Sequence, residues 1–357
     1  NLKAISNNIK LVKSKVQAEV LAVVKADAYG HGLVPVAKCA VDAGATWLGV
    51  ALLEEAFLLR EAGIKAPIVS WLTPPSSDFK RALELDIDLA IPSLKHLELI
   101  VTAGKAVGKK PRVHIEVDTG MSRGGLLGEW SEFLIAATRA EIDVVGFWSH
   151  FARADEPDEI ANQNQLNDFE KKLAQLIEVG ITPKYVHLAN SAATLTNLSS
   201  HKNIIRLGIA MYGLSPDVKT MGSSQDLELE PAMTLKAEIQ LVKRVPAGSP
   251  VGYGGTQITS SDTKLAIITM GYSDGIPRNT TSAAGVYAAG RRAPIIGRVS
   301  MDQFVVDLGA ESNAVSGEVV EVFGPLGYSI DDWAAASGTI NYEIVTRIAS
   351  RVPRIYA

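Results

Sequence analysis

The stretch VLAVVKADAYGHG, residues 20–32, runs five apolar residues into a lysine and follows it with a tyrosine, two glycines and a histidine. Val20 to Val24 reads as a buried strand, since near-continuous Val/Leu runs mark strands covered on both faces. Seven runs of the same kind follow: WLGVA (47–51), PIVSWL (67–72), DLAI (88–91), RVHIEV (112–117), VVGFWSH (144–150), YVHLAN (185–190) and IIRLG (204–208). Segments of helical period lie between them, such as 161–179 with Leu166, Phe169, Leu173 and Leu176. Strands alternating with helices give a parallel sheet, and eight repeats of the unit predict an α/β fold, a closed (β/α)8 TIM-type barrel. An open doubly wound sheet is the alternative, because strand order is not written in the sequence.

Beyond residue 225 the rhythm changes. AMTLKAEIQLVKRV, KLAIITMGY, GVYAAG, RAPIIGRVSM, QFVVDLG and EVVEVFG are short strands separated by Gly, Pro, Ser and Asp turns. They lie too close together for crossover helices, so a mainly antiparallel β domain is expected. The chain thus divides into 1–225 and 226–357, with DVKTMGSSQDLELEP (217–231) as the linker.

The 357 residues are 47% hydrophobic and 21% charged, enough to bury a sizeable core, and the net charge of -4 argues against nucleic acid or an anionic membrane as partner. The one cysteine, Cys39, excludes a disulfide framework and fits a reducing, cytoplasmic compartment. No run approaches the roughly 20 apolar residues that span a bilayer. The N-terminal NLKAISNNIK carries neither a Met nor an apolar signal core and reads as the start of an ordered region. No metal site is expected, since His31, His96, His114, His150, His187 and His201 form no HxxxH or HExxH pattern. VGYGGT and MGYSDG are not dinucleotide fingerprints, because no βαβ unit surrounds them.

In such a barrel the C-terminal strand ends face the active site. They carry Lys25, Glu116, Asp118, His150, Asn190, Ser191 and Arg206. Each alone reads equally well as a rim ion pair or a helix cap, but together they form a complementary set. A lysine in an apolar mouth has its charged form disfavoured and becomes a nucleophile or base. The chemistry that uses one is a Schiff base, with a carbonyl substrate or with pyridoxal phosphate (PLP). ANSAAT and RLGIAMYG favour the second, because Ser191 at a helix start and the backbone at Gly208 and Ile209 suit a phosphate. Tyr29 reaches the same place. Arg206 is unusual for a PLP enzyme, because a guanidinium donates to the pyridine nitrogen where a carboxylate would keep it protonated. That limits carbanion lifetime and suits removal and return of one Cα proton. The plainer reading pairs Arg206 with Glu116 or Asp118.

These residues sit in VVKADAYGHG, VDTGMSRGG (117–125), SHFARADE (149–156), HLANSAAT (187–194), RLGIAMYG (206–213), VGYGGT (251–256), MGYSDG (270–275), GRVSMDQ (297–303), NYE (341–343) and RVPRIY (351–356). The ten motifs, in this order, resemble the alanine racemases. The resemblance implies that Lys25 anchors PLP and is the base for the D-enantiomer, while Tyr253 is the opposing base for the L-enantiomer, donated across a homodimer. It implies that His150 and Arg206 tune Tyr253 and the pyridine nitrogen through a cationic pair. Tyr29, Ser191, Gly208, Ile209 and Tyr342 resemble phosphate ligands. Arg123 and the Met301 N–H resemble ligands of the substrate carboxylate, and Asp155, Tyr272, Arg278 and Arg298 resemble residues of the access passage. D-Alanine supply for cell-wall peptidoglycan is the implied role.

The chain departs from the family pattern at three places. Glu116 stands where a lysine, sometimes carbamylated, is usual, and is expected to hold Arg123 by a charge-assisted hydrogen bond. Asp27 replaces a common asparagine and Ser300 a common cysteine. The alternatives are a serine, lysine or broad-specificity racemase of the same fold, a PLP decarboxylase, and a non-catalytic PLP carrier. A decarboxylase should face the pyridine nitrogen with a carboxylate, and a carrier has no use for a second base.

Overall fold

A computed structural model describes all of residues 1–357. Two compact units emerge, one formed by Asn1–Ala28 with Gly32–Glu230, the other by Tyr29–His31 with Pro231–Ala357. No helix is long and apolar enough to cross a membrane.

The first unit opens with helix α1 (Leu2–Lys15), whose N-cap Asn1 accepts a hydrogen bond from the Ala4 N–H. Eight parallel strands follow: β1 (Glu19–Val23), β2 (Trp47–Val50), β3 (Ile68–Ser70), β4 (Asp88–Ile91), β5 (Arg112–Glu116), β6 (Asp143–Trp148), β7 (Tyr185–His187) and β8 (Ile204–Leu207). They are hydrogen-bonded in the order β7-β6-β5-β4-β3-β2-β1-β8, so β1 joins β2 on one side and β8 on the other. The expected barrel is present, and only the seam between β7 and β8 lacks a regular ladder. Individual bonds stitch it: Arg206 N to Ala189 O at 2.9 Å on one side, and Asn203 Oδ1 accepting from Val186 N at 2.7 Å on the other. The long crossover helices are α3 (Leu33–Asp42), α4 (Leu53–Glu61), α6 (Leu94–Val107), α7 (Trp130–Arg139) and α8 (Ile160–Glu178). Two short ones, α5 (Phe79–Glu84) and α9 (Ser191–Thr196), complete the ring. Strands such as β2, β4 and β8 are buried at every position, which is why they read as unbroken apolar runs.

The second unit is built on a six-stranded sheet, antiparallel throughout, in the order β14 (Arg291–Pro294), β13 (Gly285–Ala288), β16 (Val319–Phe323), β9 (Leu235–Val245), β12 (Thr263–Ile268), β15 (Phe304–Asp307). Its core centres on Trp333, fully buried, whose indole N–H donates to Val322 O at 2.7 Å and whose ring meets Phe304 edge-on. Two short helices, α11 (Ile330–Ser337) and α12 (Asn341–Thr346), follow the sheet. Asp274 accepts both arms of Arg351, at 2.6 and 3.0 Å, and fixes the loop after β12.

The chain passes from the first unit to the second between Glu230 and Pro231, inside the expected linker. The acidic tail of the expected linker is docked on α1. Asn8, 1% exposed, donates to Met211 O and Glu230 O and accepts from the Glu230 N–H. Asn8→Ala leaves those buried backbone groups unpaired, so a loss of about 2–3 kcal/mol in urea unfolding is expected. A loss under about 0.5 kcal/mol would show the segment to be undocked in solution.

Candidate active site

Lys25 follows β1 at the barrel's C-terminal end. The segment α2 (Lys25–Tyr29) coils with the wrong hand: Ala26, Asp27, Ala28 and Tyr29 have φ of 52–53°. Side chains disfavour that region by about 1 kcal/mol or more each, so the surroundings must enforce it. They do so through hydrogen bonds. The Ala26 N–H donates to Glu55 Oε1 at 2.6 Å, while Glu55 Oε2 accepts from Ala51 and Leu52 at the start of α4. Asp27 Oδ1 accepts from Leu33 N at 2.7 Å, and Asp27 O from Gly32 N at 2.9 Å. The Lys25 ammonium has no hydrogen-bond acceptor in the chain and hangs 6.0 Å over the Trp71 ring. Burial, then the Arg123 charge, lower its pKa, with Glu55 opposing and Arg206 adding to the fall.

Arg206, 4% exposed on β8, is bound almost wholly by carbonyls: His187 O at 2.9 Å, Ser149 O at 2.8 Å and Leu188 O at 3.1 Å. It also meets His150 Nδ1 at 3.2 Å and lies 5.0 Å over the Trp148 ring. No carboxylate lies within ion-pair distance, so the plain pairing with Glu116 or Asp118 does not occur. Burial draws its pKa down to about 9, against the opposing pull of Glu116. The expected cationic His150–Arg206 pair is corrected in one respect. Burial and the Arg206, Arg123 and Lys25 charges push His150 well below its ordinary value, so its ring is neutral. Its Nδ1 accepts from Arg206, which leaves Nε2 as the N–H donor.

A second correction concerns Glu116 and Arg123. No hydrogen bond joins them; exposed Arg123 is only a Coulombic neighbour, and Arg206 is the larger one. Burial raises Glu116 to about 7, with Arg206 and Arg123 opposing. Gly124 and Gly125 let the loop lie against it: a Cβ on Gly124 would come 3.0 Å from Glu116 Oε1, and one on Gly125 2.6 Å from Asp118 N. Asp118 has a structural task, accepting the Gly120, Met121 and Ser122 N–H groups of that turn.

Asn190 N-caps α9 rather than ending β7. Ser191 Oγ accepts from Gly208 N at 2.9 Å and Ala210 N at 3.3 Å, so the Gly208 N–H is already engaged; the Ile209 N–H has no partner in the chain. Asp155 stands in the first unit, with its carbonyl accepting from Thr220.

In the second unit Tyr253 tops a turn between Gly252 (φ 69°) and Gly254 (φ 76°), and its side chain is 70% exposed. Arg298 lies against that turn, 3.6 Å from where a Gly254 Cβ would stand. Met301 is exposed and its carbonyl accepts from Ser273, while its N–H makes no bond in the chain. Tyr272 and Arg278 are exposed. Tyr29 and Tyr342 are neighbours, with ring centres 6.2 Å apart, and burial raises the Tyr29 hydroxyl, keeping it protonated. Gly30 is there by necessity, because a Cβ would meet Val345 O at 2.1 Å.

Sequence reasoning missed Glu55, Trp71, Trp148 and His187. Only Trp71 and Trp148 gave a usable signal, since both sit at the ends of strand-like runs.

A half-buried lysine without an acceptor at the mouth of a (β/α)8 barrel followed by an antiparallel β unit defines a class of lysine-dependent enzymes. The sequence profile of the alanine racemase N-terminal domain matches residues 1–216, and that of the C-terminal domain residues 232–356. The alanine racemase of Salinispora tropica is 46% identical over 368 residues, spanning 100% of this chain and 96% of its own. Among solved structures, alanine racemase from D-cycloserine-producing Streptomyces lavendulae superposes with a TM-score of 0.97 at 43% identity, covering 100% and 95% of the two chains. The Bacillus anthracis enzyme with bound L-Ala-P gives 0.90 at 39% identity, covering 100% and 93%. The chain belongs to the alanine racemase family. That family works with PLP, and the donor set fits it: an amine without an acceptor, a guanidinium without a carboxylate, and the unpaired Ile209 N–H.

Two expectations follow. Ala26→Gly, at an exposed left-handed position, relieves strain and should raise stability by up to about 1 kcal/mol in chemical unfolding; a loss would show the turn is not left-handed. Because the folded pKa of Glu116 is raised from 4.5, ionising it is penalised in the fold, and stability drains away as pH climbs from about 4.5 through about 7. Glu116→Gln should therefore gain stability on wild type between pH 5 and pH 8, by on the order of 3 kcal/mol at most. An unchanged difference across that range refutes the raised value.

Proposed function

We propose that this chain interconverts L-alanine and D-alanine, the activity its family membership assigns, with Lys25 and Tyr253 as two bases on opposite faces of the substrate Cα. The observation that carries this reading is the Lys25 amine, partly buried, depressed in pKa and without an acceptor. Bound PLP supplies the electron withdrawal that makes the Cα proton removable. Lys25 anchors it and moves the proton on the face of the D-enantiomer. Tyr253, on its exposed turn, comes from a second copy of the chain and moves the proton on the other face.

Arg206, still charged at neutral pH, would donate to the pyridine nitrogen and leave that nitrogen unprotonated. His150, neutral, donates its Nε2–H toward the Tyr253 oxygen. Ser191, the Ile209 N–H, Tyr29 and Tyr342 hold the phosphate, and Gly208 contributes by its missing side chain. Arg123 and the Met301 N–H hold the substrate carboxylate, and Glu116 lends Arg206 a negative field. Asp155, Tyr272, Arg278 and Arg298 line the access passage. Cytoplasmic supply of D-alanine for peptidoglycan is the role this activity serves.

The test is racemisation in deuterated water with separate L-amino acids, reading D-product and Cα deuterium. D-Alanine bearing Cα deuterium, with little turnover of serine or lysine, is expected; equal rates across side chains would make it a broad-specificity racemase. Tyr253→Phe should cut racemisation by about 10³ while D-alanine still exchanges its Cα proton at Lys25. Mixing inactive Lys25→Ala and Tyr253→Phe proteins should restore activity, because one site of a mixed dimer is intact. No recovery on mixing would place both bases in one subunit.

A further inference from the structure

A line of buried polar groups runs from the active site through the barrel to its opposite end. Arg206 NH1 meets His187 Nδ1 at 3.3 Å, His187 Nε2 meets His114 Nδ1 at 3.0 Å, and His114 Nε2 meets Asp88 Oδ2 at 3.4 Å. Asp88, His114 and His187 are 1–2% exposed and Arg206 is 4% exposed. Asp88 is the first residue of β4, and it is gripped from outside by Arg112, at 2.9 and 3.0 Å.

The chemistry of the two ends gives the line one direction. A guanidinium only donates and an ionised carboxylate only accepts. His187 Nδ1 must therefore be bare to accept from Arg206, so a neutral His187 carries its hydrogen on Nε2. That hydrogen goes to His114 Nδ1, which leaves the His114 hydrogen on Nε2, facing Asp88. Burial, with the Arg206 charge adding to it, holds His187 well below its ordinary pKa, in keeping with a neutral ring. The backbone is shaped for the contact. A Cβ on Gly146 of β6 would stand 2.0 Å from His114 Nδ1, and the β5–β6 register shifts between Val113 and His114. Trp148 stacks flat on His187, 5.7 Å away, and Trp47 meets His114 edge-on.

We propose that Asp88 and His114 are positioning residues for Arg206: the carboxylate at the far end of the barrel fixes the tautomer of both histidines and so presents an acceptor, His187 Nδ1, to the active-site guanidinium. The proposal gives Arg206 the charge partner it lacks at close range, reached through two histidine rings. It rests on the reading of Arg206 as a site residue, and its first readout is independent of that reading.

Nitrogen-15 chemical shifts of labelled histidines, read on the wild-type protein without cofactor, report tautomers directly. His187 and His114 should both show a bare Nδ1 and a protonated Nε2. Either ring carrying its hydrogen on Nδ1, or being cationic at neutral pH, overturns the relay whether or not the protein racemises alanine. The substitutions Asp88→Asn and His114→Phe extend the test to PLP-loaded enzyme. Each should lower kcat about tenfold with KM for alanine within about twofold and shift the absorption band of the bound cofactor, the signature of a displaced Arg206. A wild-type band and kcat in a folded Asp88→Asn protein would refute the positioning role even if the wild-type tautomers are as stated.

Discussion

A guanidinium buried without a carboxylate can stay charged only if oriented dipoles carry it, and the structure around Arg206 is arranged to do that. The carbonyls of Ser149, His187 and Leu188 all turn toward it, and they come from the ends of β6 and β7. Its own backbone N–H closes the β7–β8 seam on Ala189 O. The same residue thus completes the barrel and sets the field of the site. Burial first, with the Arg206 charge adding to it, pulls His150 and Lys25 below their ordinary pKa values. Glu116, the carboxylate whose charge opposes the fall at Arg206, is itself lifted to about 7 by burial and offers only a partial negative charge at physiological pH. The site therefore leans positive, which suits a phosphate and an amino-acid carboxylate arriving together.

Much of this architecture was legible in the residues. Strand runs such as DLAI and IIRLG are recognisable because a strand covered on both faces has no polar side to confuse the pattern. The polar residues at strand ends were legible for the same reason, since Lys25 and Arg206 interrupt sequences that otherwise bury everything. The hand of α2 was not. Ala-Asp-Ala has no glycine and reads as right-handed helix, and only the Glu55 and Asp27 hydrogen bonds, which come from other parts of the fold, select the opposite coil.

Charge complementarity also misled where distance decides. Glu116 and Arg123 are well matched in type, but the Gly124–Gly125 turn brings its backbone to Glu116 while the Arg123 side chain stays exposed. The acidic DLELE segment looked like free linker because its anchor, Asn8, lies more than two hundred residues earlier. His114 and His187 fit no metal spacing and carried no other signal; contact between β5 and β7 residues across a glycine of β6 is a property of closed sheets that no linear pattern displays.

The left-handed α2 has a bearing on how the enzyme can vary. Backbone dihedrals pass between the two hands only through sterically forbidden territory, so the coil after Lys25 cannot merge smoothly into right-handed α3, and Gly32 at φ 98° stands at the break. It works as an index stop, fixing where along the barrel axis the strand ends and the amine emerges. Insertions that reshape a barrel enzyme are ordinarily absorbed by the loops above its strands. Here the first of those loops is already held in a strained coil by Glu55 and Asp27, so reshaping it means giving up those hydrogen bonds as well.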